Sequence, residues 1–305
     1  MKREDFTKNE VSSSKWQIKF KQIQHICRAL IIHRSFYVSR PSLLLSSLFV
    51  TGIMACSDPF QYNPNQVILD KNQQDLNAKN IARIQKRIPS DTVRFILMGD
   101  SQRFYDELAD FVESANQQRD ISFVLHAGDI SDFGLTQEFK WVHEIMQDLR
   151  VPYLTVLGNH DLIANASTAY RKMYGDFNYS FEFGTNKFIF INTNSREFNF
   201  DGTVPDLPWL KQELANNPLQ NNAFVIAHIP PFDADFDPKL EKEYAEILAA
   251  DPHVNLTLYG HQHTFRNGTF YNDGVEYYLT TSMQDRGYLL ITTWKGGYLV
   301  DRIKF

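Results

Sequence analysis

Five apolar, β-like runs in this chain each end in a short motif rich in metal-ligating and acid–base side chains. In order these are Gly99-Asp100-Ser101-Gln102, Gly128-Asp129-Ile130-Ser131-Asp132, Gly158-Asn159-His160-Asp161, Ala227-His228-Ile229-Pro230-Pro231 and Gly260-His261-Gln262-His263. A lone Gly-Asp is usually a turn, and a lone Gly-His-x-His arises by chance. The series is what constrains the fold. Carboxylate, amide and imidazole groups at successive strand ends must be delivered to one sheet edge, where sites assemble in α/β proteins. Such a donor set suits two divalent ions a few ångströms apart.

The intervening pattern supports that delivery. Apolar runs at 93–98, 121–127 and 151–157 alternate with helical stretches at 104–118 and 137–148, and a short helix follows near 169–174. This βαβαβ rhythm predicts neighbouring parallel strands. Runs at 179–183 and 187–192, joined by Gly184-Thr185-Asn186, predict a hairpin. Helices at 209–216 and 239–250 then alternate with strands at 223–228 and 255–259. Three last runs, 275–281, 287–293 and 297–303, suggest an antiparallel meander. No repeat or linker interrupts 91–305, which is read as one domain. Residues 56–90 are read as a tether with a solvated surface helix showing Ile81, Ile84 and Ile88 on one face.

The chain has 305 residues, 43% hydrophobic and 22% charged, enough for a substantial core. Its charge is uneven. Residues 1–40 hold nine Lys/Arg against three Asp/Glu, residues 41–55 hold none, and residues 56–305 hold 22 against 33. An acidic body argues against general nucleic-acid binding. The uncharged apolar stretch 43–55 is too short to span a bilayer comfortably and follows a basic flank. Ending at Cys56, it resembles a bacterial lipoprotein signal, with an ordinary signal peptide or a buried apolar segment as the alternatives. Residues 1–55 are therefore read as an N-terminal extension and signal. The expected product is an extracytoplasmic, membrane-anchored lipoprotein, facing the periplasm or the cell surface and attached through a lipidated Cys56. The other cysteine, Cys27, lies upstream, so a processed body would carry no free thiol. Residues 1–37 look like neither a signal nor a folded domain, which suggests a translation start near Val38.

The motif series resembles the calcineurin-like metallophosphoesterases, specifically the bacterial single-domain branch similar to cyclic-nucleotide phosphodiesterases. The likeness runs from Asp91 to about Tyr298 and includes residues 177–183, Leu207-Pro208-Trp209-Leu210 and the proline pair after His228. It implies an α/β fold: a β-sandwich flanked by helices on both outer faces, in four αββα layers. It also implies two divalent metal ions. Asp100, Gln102, Asp129 and His263 would hold the first, and Asp129, Asn159, His228 and His261 the second, with Asp129 bridging. His160 would be the general acid, oriented by Asp132 through its other ring nitrogen. The reaction implied is hydrolysis of phosphate mono- or diesters by a hydroxide that bridges the metals.

The first motif departs from the family, which usually has histidine where Gln102 stands. An amide oxygen shifts preference from zinc toward manganese or magnesium. Mn²⁺ is therefore expected, with Mg²⁺, Fe or Zn²⁺ as alternatives. Gln102 also motivates a second reading, a phosphate-ligand-binding lipoprotein of the same fold with weak or no turnover. The segment between His160 and His228 is short and leaves little room for a capping domain, so the site should be open. Nucleotides, sugar phosphates, diphosphate-linked precursors and phospholipid head groups all remain candidate substrates.

Other polar residues carry weaker signals. Arg103 could reach a substrate phosphate or sit solvated at a helix start. His126, within an apolar run, reads as a core histidine. His143 and His253 fall on a predicted helix surface and a loop and are given no role. Arg266 and Arg286 could line a pocket.

Overall fold

The computed structural model describes Asn63 and residues 65–217 and 222–305. The signal segment, Cys27, Cys56 and the start-site expectation lie outside the described residues.

Two sheets form the centre. The first has the order β11-β10-β1-β2-β3, built from β1 (Thr92–Met98), β2 (Ile121–His126), β3 (Tyr153–Thr155), β10 (Gly287–Trp294) and β11 (Gly297–Lys304). The second has the order β4-β5-β6-β7-β9-β8. Its strands are β4 (Tyr179–Phe183), β5 (Asn186–Phe190), β6 (Asn222–Ile226), β7 (Val254–Tyr259), β8 (Arg266–Gly268) and β9 (Glu276–Leu279). The helices are α1 (Leu76–Gln85), α2 (Tyr105–Gln117), α3 (Thr136–Met146), α4 (Ala166–Met173), α5 (Leu207–Ala215) and α6 (Glu241–Ala250).

The inner strands are apolar on both faces because both faces are covered. Phe95 and Phe123 of the first sheet meet Phe188 of the second edge-on, with ring centroids 5.2 and 5.1 Å apart. The alternate residues Ile96, Met98 and Val124 point outward and pack against Leu108 and Phe111 of α2, Phe139 of α3 and Tyr170 of α4. On the other side, Ile189 and Val225 pack against Leu210 of α5 and Tyr244 and Leu248 of α6. The layers are helix, sheet, sheet, helix, as the resemblance implies.

The β1–β2–β3 set is parallel, as its rhythm predicts, and β4–β5 is the expected hairpin. The three-strand meander is corrected. β10 and β11 pair antiparallel, but β9 lies in the second sheet, parallel to β7, with the short β8 on its far side. An apolar run gives the same sequence pattern whichever sheet it joins, so the pattern does not reveal the switch.

The spacer helix is also corrected. α1 buries Leu76, Asn77, Asn80 and Ile84, a stripe at helical spacing. Asn77 behaves as an extra strand partner for β3: its Nδ2 donates to the Thr155 carbonyl (3.3 Å) and its Oδ1 accepts from the Thr155 N–H (3.1 Å). Asn80 Nδ2 donates to the Tyr153 carbonyl at 2.8 Å. α1 therefore closes an otherwise open sheet edge.

Candidate metal centre

The ends of β1, β2, β6 and β7, with the loop after β3, converge at one edge of the sandwich. The first two motifs are laced together by main-chain bonds. Asp100 N–H donates to the Gly128 carbonyl at 3.0 Å, and the N–H groups of Ser101 and Gln102 donate to the Asp129 carbonyl at 3.1 and 3.2 Å. Gly260 N–H donates to the His228 carbonyl at 3.1 Å and joins the last two.

Four candidate ligands take left-handed backbone conformations: Asp100 (φ 50°), Asp129 (57°), His261 (70°) and His263 (56°). Each such residue stores strain of order ~1–3 kcal/mol, a pattern concentrated at functional sites. The flanking glycines serve in two ways. Gly128 does turn (φ 93°), but Gly158 supplies room: a Cβ there would collide with the Asp129 main-chain nitrogen and carboxylate.

The donor atoms face one another. Asp100 is fully buried; its Oδ1 accepts the His261 N–H (3.1 Å) and lies 3.3 Å from His263 Nε2. Asp129 Oδ1 accepts the His160 N–H at 2.9 Å, while Oδ2 lies 3.3 Å from Gln102 Nε2 and 3.4 Å from His228 Nε2. His228 donates from Nδ1 to the Ala127 carbonyl at 2.7 Å, which leaves Nε2 for the site. That Nε2 is 3.0 Å from Asn159 Oδ1, and His261 Nδ1 is 3.1 Å from the same oxygen. Gln102 Oε1 is buried and has no hydrogen-bond partner.

This set passes a simple test for metal binding. Lone-pair donors of Asp100, Asp129 and His228 lie within 4.8 Å of one another, all buried. Such a cluster repels itself unless a cation stands within it. Without an ion, a proton does that work. Burial alone would raise the Asp129 carboxyl, but His228 beside it holds it at about 2. Burial would lower His228, and Asp129 instead lifts it to about 10. A divalent ion can replace that proton, and the orphan Gln102 oxygen supplies a further vacant donor. All seven sequence-predicted ligands meet here: Gln102 and His263 beside Asp100 and Asp129, and Asn159, His228 and His261 beside Asp129.

His160 adjoins the same centre through its main-chain bond to Asp129, with its side chain one-third exposed. Its orientation comes from an unexpected atom. Nδ1 donates to the main-chain carbonyl of Asp132 at 2.9 Å, whereas the Asp132 carboxylate lies 3.8 Å away and pairs with Arg103. The expected carboxylate contact is thus a carbonyl contact, and a motif cannot reveal which of one residue's oxygens is used. Either way Nδ1 carries the proton and Nε2 is left free.

Sequence reasoning gave no role to Asp161, although it stands in the third motif. It is fully buried. Its Oδ1 accepts the N–H groups of Ile130 (2.9 Å) and Ser131 (2.8 Å), and its Oδ2 accepts that of Gly158 (3.0 Å). It staples the second and third loops together. Burial and the nearby Asp129 push its carboxyl up to about 7. Asp233 and Asp235, beyond the proline pair, were also passed over. Both approach His261, and the hydrogen bond to His261 holds the Asp233 carboxyl well below its usual range.

The remaining candidates sit apart from the centre's donor set. His126 is a core histidine, as expected, with Nε2 2.8 Å from Ser101 Oγ. His143 is buried, not on a helix surface, with Nδ1 2.7 Å from the Tyr153 hydroxyl. Arg286 pairs with Asp110, and Arg266 lies over the rings of Phe232 and Phe270.

Comparison with known proteins agrees with this geometry. A profile of the family described as calcineurin-like phosphoesterase matches residues 93–265, more than half of the chain. Bacillus subtilis YvnB is 25% identical over 210 residues, 59% of this chain and 16% of that protein. A Ruthia magnifica protein named "Probable cyclic nucleotide phosphodiesterase" is 26% identical over 152 residues, 47% of this chain and 63% of that protein. The chain thus spans less than two thirds of either relative. A crystal structure of a dimetal phosphatase from Danio rerio shares the fold, with a TM-score of 0.54 at 14% identity, over 70% of this chain and 97% of that one.

Proposed function

The chain belongs to the calcineurin-like phosphoesterase family, and from that premise we propose that it hydrolyses small phosphodiesters, cyclic nucleotides first among them, with two divalent ions. Metal-dependent phosphoester hydrolysis is the activity of this family. The name of the Ruthia magnifica relative supports the choice of substrate. The observation that carries the two-ion reading is the buried, self-repelling donor set described above, with Gln102 Oε1 unpartnered within it.

When bound, the two ions would acidify a water and neutralise phosphoryl charge. The chain's own groups do the rest. Asp100, Asp129, Asn159, His228, His261, His263 and Gln102 would hold the ions. His160 keeps its Nδ1 proton on the Asp132 carbonyl, which leaves Nε2 of this partly exposed ring for the substrate. As a general acid the ring would start as the imidazolium, with the Asp132 carboxylate 3.8 Å away favouring that charge, and would pass its Nε2 proton to the departing oxygen to become neutral. Gln102 supports manganese as the preferred metal.

The test is turnover by the purified chain, loaded with Mn²⁺, on cyclic nucleotides, linear diesters and monoesters. Cyclic nucleotides should be hydrolysed fastest. Asp129→Ala should lose both ions and the activity together. Two ions retained in Asp129→Ala would refute the bridge. Two ions bound by the wild type with no hydrolysis of any substrate would favour the binding-protein reading.

The apolar stretch before Cys56 supports attachment to a membrane by lipid on the extracytoplasmic side. Among the described residues no helix is long and apolar enough to cross a membrane.

A further inference from the structure

Two histidines whose rings meet the Asn159 side chain offer it opposite ring nitrogens. His228 presents Nε2, because its Nδ1–H is committed to the Ala127 carbonyl. His261 presents Nδ1. A free Nδ1 lone pair requires the His261 proton to sit on Nε2. No main-chain carbonyl is bonded to that nitrogen. It faces two carboxylates, Asp233 Oδ1 at 3.4 Å and Asp235 Oδ2 at 3.6 Å.

Those carboxylates are themselves held. Asp233 Oδ2 accepts from Gln262 Nε2 at 2.8 Å, and its Oδ1 accepts the Asp235 N–H at 3.0 Å. Asp235 is gripped in bidentate fashion by Arg196, at 2.9 and 2.8 Å, and its carbonyl accepts the Arg196 N–H at 3.2 Å. Bidentate guanidinium pairs fix geometry as well as charge. The arrangement joins the loops after β5, β6 and β7 around one imidazole.

We propose that Asp233, braced by Gln262 and by the Asp235–Arg196 pair, is the positioning residue that fixes His261 as an Nδ1 ligand of the second ion. The proposal rests on the two-ion reading above. Asp233, Asp235 and His261 also lie close enough to share a cation of their own. The Arg196 guanidinium argues against that, because it already occupies both Asp235 oxygens and would repel an incoming ion.

The experiment titrates the metal-free full chain with Mn²⁺ by calorimetry and records the visible spectrum of the Co²⁺ form. The wild type should bind two ions. Asp233→Ala should weaken one of them ~10–100-fold, the usual effect of removing such a partner, and leave the other unchanged. Asp233→Asn keeps an oxygen for the Nε2 proton, so it should recover most of the affinity and a near wild-type Co²⁺ spectrum. Arg196→Gln alters an exposed side chain, tests the brace without touching the imidazole, and should weaken the same site to a smaller extent. Unchanged affinities for both ions in Asp233→Ala and Arg196→Gln would overturn the proposal while leaving the two-ion reading intact. So would a third ion in the wild type that Asp233→Ala alone loses. A wild type that binds no ion would overturn both.

Discussion

At the scale of single residues, the proposed mechanism separates groups that hold charge from a group that moves a proton. His160 touches the centre through its main chain, and its ring turns toward Asp132. His160→Ala should therefore retain both ions while turnover falls by ~10²–10⁴-fold, the reach of general acid catalysis. The loss should shrink for nitrophenyl esters, whose leaving group needs no proton. Equal losses on good and poor leaving groups would leave His160 with a binding role only. Gln102 is the other informative residue. Its orphan oxygen is a weaker donor to zinc than an imidazole nitrogen. Activity should rank Mn²⁺ above Zn²⁺ in the wild type, and Gln102→His should tighten zinc at the first site in a metal titration. The same metal ranking and affinities in both proteins would show that Gln102 does not coordinate.

Among the elements, α1 departs furthest from its sequence reading. It looked like a spacer because two asparagines stand where a buried helix usually carries aliphatic residues. Those amides are buried because they finish the hydrogen bonding of β3, whose end leads into the third motif. Asn77→Ala would strand the Thr155 N–H, while the Thr155 carbonyl keeps the hydroxyls of Tyr170 and Tyr179. Stability should drop by ~1–3 kcal/mol, the cost of one unsatisfied buried group. Urea denaturation should show this as a lower midpoint at an unchanged slope. A midpoint like that of the wild type would mean water replaces Asn77 and that the edge is not sealed.

For the whole molecule, the pH response has an identifiable part. Burial holds His126 neutral and pushes its pKa from 6.5 down to about 3. Its Nδ1 accepts the Gly128 N–H at 3.2 Å and so must stay unprotonated. Between these pKa values the unfolded chain binds a proton that the folded chain refuses. The contribution is fully present above pH 6.5 and is lost as pH falls toward about 3. Wild type should lose stability on acidification more steeply than His126→Gln by ~1.4 kcal/mol per pH unit in that window. Parallel denaturation curves at pH 6 and pH 5 would rule this out. The proposed lipid attachment is tested at the scale of the whole molecule. Cys56→Ser should leave the protein soluble or unprocessed when membranes are sedimented. Wild type found free and cleaved elsewhere would end the lipoprotein reading.

Much of the fold was legible because covered strands are written as unbroken apolar runs and their helices as periodic ones. The candidate ligands were legible because each follows such a run, and the sheet edge gathers them whatever the details of packing. The sequence by itself thus determined the α/β class, the parallel β1–β2–β3 set and the residues that meet. Only the tertiary structure decided what depends on contacts between distant segments. It moved β9 into the second sheet, since an apolar run does not name its partner. It turned Asp100, Asp129, His261 and His263 into the strained corners and made Gly158 a gap for a neighbour's atoms. It assigned the His160 contact to a carbonyl of Asp132 and set Asp233 behind His261. A side chain's type is local information, whereas the atom it meets is fixed only when the loops are folded against one another.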